Sequence, residues 1–216
     1  MAEYIRARSE DQKEERLNQI KDATAKLFET QPFNEITLST IAEKLGWSRA
    51  NLYKYVTTKE EIILEIATDK MNKYYTSLLA AFPEGNNYSA EVIAEVWAGI
   101  LNANQDYMRY VSYLNPVIET NVTVDRLTVF KKKYYDLACQ LRNRLAAMLN
   151  TTPELSYKIQ LAVLFFASSH AISCYKNPLV QKALKKIKIN PPALDFCKDM
   201  KDFILMRLTW AKQTGN

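Results

Sequence analysis

Leu17, Ile20, Thr24, Leu27 and Phe28 recur at helical spacing, predicting a first helix that starts at a Ser9–Gln12 capping box and stops at Gln31–Pro32. After the loop PFNEI, Thr37 can cap a short helix through Leu45, which Gly46 breaks. Ser48 can cap the next to about Val56, and Thr58 with Glu61 makes a further capping box. A long fourth helix is predicted from about Lys59 to Phe82, with Ile62, Ile63, Ile66, Met71, Tyr74, Leu78 and Leu79 as its buried stripe. It can join two units. Further helices are expected at about 89–104, 105–114, 124–149, 154–175 and 193–212, separated by NP, NTTP, KNP and INPP.

The whole pattern is that of an all-α protein, and composition supports it: four glycines, seven prolines and few alternating β-branched runs. No internal repeat or low-complexity tract is visible. The basic run QKALKKIK, 181–188, reads as a solvated face or linker. Cys139, Cys174 and Cys197 are widely spaced and form no C-x-x-C pair, which fits a reducing cytoplasm. The opening residues lack an apolar signal core and no apolar run is long enough to span a bilayer, so neither secretion nor a membrane partner is expected.

The net charge is +5, but residues 1–60 carry ten Lys/Arg and ten Asp/Glu, so any anionic partner of that region must be met by local placement of charge. Such placement exists. From Lys44 to Lys59 there is no acid, while Lys44, Arg49, Lys54 and Lys59 alternate with Trp47, Tyr53 and Tyr55. A helix lying in the major groove runs between two rows of phosphates, and a carboxylate on its exposed side would be repelled by both. Within 38–57, Ala42, Gly46 and Leu52 take the fifth, ninth and fifteenth positions, the spacing of a helix-turn-helix. Ala42 allows close packing, Gly46 can take the positive φ of the turn, and Ile41, Leu45 and Leu52 fill the small core. The helix starting near Lys59 adds its positive end for phosphate.

The stretch TLSTIAEKLGWSRANLYKYVTTKEEII closely resembles the DNA-binding segment of the tetracycline-repressor (TetR) family over about residues 10–65, matching at Thr37, Ile41, Ala42, Gly46, Ser48, Leu52, Tyr53, Lys59 and Glu60. Trp47, Ala50 and Val56 depart from the family pattern without removing a donor. The resemblance implies that Thr37, Trp47, Ser48, Tyr53, Tyr55 and Lys59 contact phosphates, while Arg49, Ala50, Asn51 and Lys54 face bases. It also implies a three-helix DNA-binding domain at 1–58 and a larger helical ligand-binding and dimerisation domain at 59–216. Past residue 66 it carries no residue roles.

One module buries little surface on DNA, so a homodimer on a palindromic operator is expected. The last two helices are the candidate interface, because 155–175 is apolar nearly all round and Leu194, Cys197, Met200, Phe203, Ile204 and Leu208 form a wide stripe. Tyr74, Trp97, Tyr107, Tyr110, Tyr113, Phe130, Tyr134 and Phe165, with His170, are the candidate lining of a small-molecule pocket, or alternatively plain core. With few acids from Tyr74 to Tyr135 and a cationic trio at Lys131 to Lys133, the effector is expected to be apolar or aromatic, and neutral or anionic. His170 precedes Cys174 by one helical turn, but two such residues make neither a metal site nor a catalytic centre. The expected protein is a ligand-responsive transcriptional regulator, a repressor, with no cofactor, metal or enzymatic activity. The competing reading is a DNA-bound scaffold whose C-terminal domain holds another protein.

Overall fold

The computed structural model describes the backbone of residues 2–174 and 177–214, and the side chains of 11–174, 177 and 179–213. It is all-α, with no strand among the described residues. The helices are α1 (Ala2–Thr30), α2 (Leu38–Leu45), α3 (Arg49–Leu52), α4 (Lys59–Ala81), α5 (Ala90–Ala103), α6 (Gln105–Tyr113), α7 (Val124–Leu149), α8 (Pro153–Cys174), α9 (Pro178–Lys186) and α10 (Phe196–Thr214).

Most predicted boundaries hold within a residue or two, and the exceptions have local causes. Ser9 lies inside α1 and starts nothing. Glu61 completes no box with Thr58: its backbone N–H donates to the Thr58 hydroxyl at 3.2 Å, while its carboxylate accepts from the Thr57 N–H and hydroxyl at 3.2 and 2.7 Å. The basic run folds as α9, capped by the Asn177 side chain, with Pro178 at its start. Leu194 precedes α10 and is half exposed, because the helix begins only after the Pro191–Pro192 segment. Of the expected 154–175 helix, Tyr175 falls outside the described residues.

The chain divides into two compact units, Met1–Asp69 with Tyr113–Phe130, and Lys70–Ser112 with Lys131–Asn216. This differs from a division at 58–59. The first turns of α4 and the segment around the π-helical turn Leu114–Ile118 both belong to the first unit. Arg126 pairs with Glu65 at 2.8 Å, and Leu114, Ile118 and Phe130 are buried.

In the second unit α10 lies along α5 and also meets α8. Ile93, Ala94, Trp97, Ala98 and Leu101 of α5 and Met200, Ile204 and Leu208 of α10 are all at most 1% exposed, each set at helical spacing. Each fully buried Leu or Ile contributes about 1.5–3 kcal/mol. Several of the polar groups drawn in with them are partnered, although the Ser156 hydroxyl and the Arg207 Nε are buried without a hydrogen-bond partner. The Trp97 indole N–H donates to the Tyr74 hydroxyl at 2.9 Å, and the Gln160 amide donates to the Ala138 carbonyl at 3.2 Å. Arg144 donates to the Leu79 and Phe82 carbonyls at the end of α4, capping that end with a cation, as the helix dipole favours.

Burial holds the Tyr74, Tyr75 and Tyr107 phenols well above their ordinary pKa, with the neighbouring phenols adding to the shift in Tyr75 and Tyr107. The folded state therefore keeps protons that the unfolded chain releases near pH 10. Stability from this cluster is fully present below about pH 10 and falls as the pH rises beyond it. Urea unfolding at pH 8, 10 and 11 is expected to show that fall, and Tyr107→Phe should make it shallower.

Candidate nucleic-acid interface

The N-terminal reader is built from its caps inward. Thr37 is extended, with φ −134°; its hydroxyl accepts the Thr40 N–H at 3.1 Å, and the Thr40 hydroxyl accepts the Thr37 N–H at 2.9 Å. This capping box uses threonine where glutamate is usual. Gly46 ends α2 in the left-handed region, φ 67°, and the Ala42 carbonyl accepts both the Gly46 and the Trp47 N–H. The Ser48 hydroxyl then accepts the Asn51 N–H at 3.2 Å and starts α3. After Leu52 the backbone tightens through Lys54 N–H to Asn51 carbonyl and Tyr55 N–H to Leu52 carbonyl bonds, so regular helix stops short of the expected Val56. Ile41 and Leu52 are fully buried and Ala42 is nearly so, while Leu45 is only partly covered.

The outward side carries the residues expected to meet DNA. Arg49, Ala50, Tyr53 and Lys54 are exposed; Trp47, Asn51, Tyr55 and Lys59 are half-buried; the backbone of Thr37 and Ser48 stands at the two helix starts. Trp47 meets Tyr55 at 6.0 Å between ring centroids, and the Arg16 guanidinium lies 5.1 Å from the Trp47 ring. Arg16 thus adds a cation at the rim of the acid-free window. No sequence signal marked it, since it sits among acids on α1. Lys59 is not a free cation: its ammonium donates to the Phe33 carbonyl at 2.9 Å and stands 4.3 Å from the Phe33 ring centroid.

The nine candidate effector residues are divided between the two units. Tyr74, Trp97, Tyr107 and Tyr110 are at most 3% exposed within the second unit, and Tyr134 meets Tyr75 at 6.1 Å. Tyr113 and Phe130 belong to the first unit, where Tyr113 stacks on Phe33. Phe165 is 53% exposed on α8. His170 stacks between Phe166 and Phe196, at 5.3 and 5.7 Å, and its Nε2 lies 2.9 Å from Asp199, so its partner is a carboxylate on α10 rather than Cys174. The cavity of about 310 Å³ under the Pro83–Asn87 loop and the cleft of about 520 Å³ beside α9 are lined by other residues.

Two short capped helices across a left-handed glycine, the second within the acid-free cationic stretch from Lys44 to Lys59, define a DNA-binding helix-turn-helix regulator. Residues 20–66 match the profile of bacterial regulatory proteins of the tetR family, and residues 68–210 match that of the tetracyclin repressor-like C-terminal domain. The chain belongs to the TetR family of transcriptional regulators. No match is found among curated protein sequences.

Solved structures share the fold. The TetR-family transcriptional regulator PfmR from Thermus thermophilus is 15% identical, with a TM-score of 0.59 over 88% of this chain and 97% of that one. AmtR from Mycobacterium smegmatis is 20% identical, with 0.55 over 88% and 84%. The fatty acid degradation regulator FadR from Bacillus halodurans is 16% identical, with 0.54 over 89% and 94%.

A Cβ added at Gly46 would meet nothing within 4 Å, yet its φ is one that L residues rarely adopt. Gly46→Ala is therefore expected to lower stability by about 1 kcal/mol through backbone strain alone, with Gly46→Asn losing less. Chemical denaturation of the two variants measures the difference.

Proposed function

We propose that this TetR-family regulator is a repressor that binds a palindromic operator as a homodimer and is released by a small molecule. The observation that supports the DNA reading most is the exposure of Arg49, Ala50, Tyr53 and Lys54 within a stretch, Lys44 to Lys59, that holds no acid. In this reading Thr37, Trp47, Ser48, Tyr53, Tyr55 and Lys59 hold phosphates, and Arg49, Ala50, Asn51 and Lys54 read base edges, the Ala50 methyl suiting a thymine methyl.

Dimerisation through α8 and α10 is supported by large apolar side chains left in solvent, Phe165 and Ile172 on one helix and Met206 and Trp210 on the other. The effector is taken to be apolar or aromatic, neutral or anionic, and to act on the Tyr74–Trp97–Tyr107 region. These rings are buried, so in this reading an effector that reaches them stabilises a different packing. A coupling of about 1–3 kcal/mol would change operator affinity roughly 5–150-fold. The same burial equally supports the scaffold reading, in which a protein partner replaces the small molecule. Loss of operator binding on adding a pure small molecule decides for the effector, and insensitivity to every candidate, with capture of a protein partner, for the scaffold.

Arg49→Ala is expected to cost about 1–3 kcal/mol on the best site and to relax preference at one base pair per half-site. Lys59→Ala should weaken binding about equally across sequences. Binding selections from a random duplex pool separate the two, and an unchanged sequence preference in Arg49→Ala would remove it from the base-reading set. In sedimentation the wild type should run near twice 24.9 kDa. Phe165→Glu should run as a folded monomer and lose tight binding to the palindrome.

A further inference from the structure

Lys59 is the first residue of α4, where a cation faces the positive end of the helix dipole. Nothing in helix physics favours a lysine there, and a side chain with four rotatable bonds would ordinarily wander in solvent. Its ammonium is instead held twice by Phe33, through the carbonyl at 2.9 Å and the ring face at 4.3 Å.

Phe33 in turn needs support. It stands in a one-turn 3₁₀ segment, Phe33–Glu35, that buries none of its residues. The support comes from Tyr113, whose ring stacks on Phe33 at 5.0 Å with planes 16° apart. Phe28, 4% exposed, meets both rings edge-on, Phe33 at 6.5 Å and Tyr113 at 5.5 Å. Tyr113 is fixed by the π-helical turn that follows it, in which Leu114 and Ile118 are buried.

We infer that Phe33 and Tyr113 are positioning residues for DNA binding: their stacked rings hold the Lys59 ammonium where it meets a phosphate. The inference rests on the reading of Lys59 as a phosphate anchor and adds two residues outside the DNA-facing set, one of them expected from the sequence to line an effector pocket. The chemistry is consistent. An ammonium has three donors, so one can stay on the Phe33 carbonyl while another reaches a phosphate oxygen. A cation already held in place loses less freedom on binding than a free one.

The test is the salt dependence of binding to a duplex selected by the wild type. Removing one lysine–phosphate interaction should shallow the slope of log K against log salt by about one. Lys59→Ala, Phe33→Leu and Tyr113→Leu are expected to shallow it in the same sense, with roughly tenfold weaker binding at low salt. Phe33→Leu added to Lys59→Ala should weaken binding no further. Tyr113→Phe and Phe33→Tyr keep the rings and should retain the wild-type slope, which separates positioning from a general loss of folding.

If Lys59→Ala shallows the slope while Phe33→Leu and Tyr113→Leu keep the wild-type value, or if the Phe33 and Lys59 effects add, the positioning role is overturned and the phosphate anchor stands. If Lys59→Ala itself changes nothing, the anchor reading fails and this inference with it.

Discussion

The close approach of α2 and α3 across Gly46 governs everything this protein can present to DNA. The left-handed φ of 67° lets one carbonyl, that of Ala42, accept two successive N–H groups, and the chain reverses in the space of Trp47 and Ser48. Ala42, at 2% exposure, is small enough to let α2 and α3 come together, and neither Ile41 nor Leu52 sees solvent. The caps at Thr37 and Ser48 contribute about 1 kcal/mol each, whereas two fully buried aliphatic side chains contribute about 1.5–3 kcal/mol apiece. Packing therefore fixes the angle between the helices, and the caps fix where they start. With that angle set, Arg49, Ala50, Tyr53 and Lys54 have no inward direction left, and they form the outer face.

The reader does not stand on three helices alone. Residues from well along the chain return to its unit: Tyr113 against Phe33, Arg126 against Glu65, and Leu114, Ile118 and Phe130 into buried positions. An exposed ion pair such as Arg126–Glu65 contributes little, about 0–1 kcal/mol, so the rings and the buried aliphatics carry this attachment. In the second unit, apolar burial along α5 and α10 is joined by polar groups that would each cost about 1–3 kcal/mol if orphaned: the Trp97 indole, the Gln160 amide and the carbonyls at the end of α4. These bonds select one packing among the many that apolar stripes would permit.

What the sequence determined by itself was local. Helical periodicity, the Thr37 and Ser48 caps, the Gly46 break and the acid-free window from Lys44 to Lys59 are all set by neighbours within a turn or two, and they sufficed for the all-α class, the helix-turn-helix and its outward residues. The tertiary structure decided whatever depends on residues far apart in the chain. Aromatic spacing could not show that Tyr74 meets both Trp97 and Tyr107 while Phe165 is exposed, or that Tyr113 stacks on Phe33. Arg16 over Trp47, Lys59 on Phe33 and His170 on Asp199 were likewise invisible, because a lysine, arginine or histidine carries the same pattern whether solvated or held. Periodicity says which face of a helix is apolar; only the packed chain says what that face, and each charge beside it, will meet.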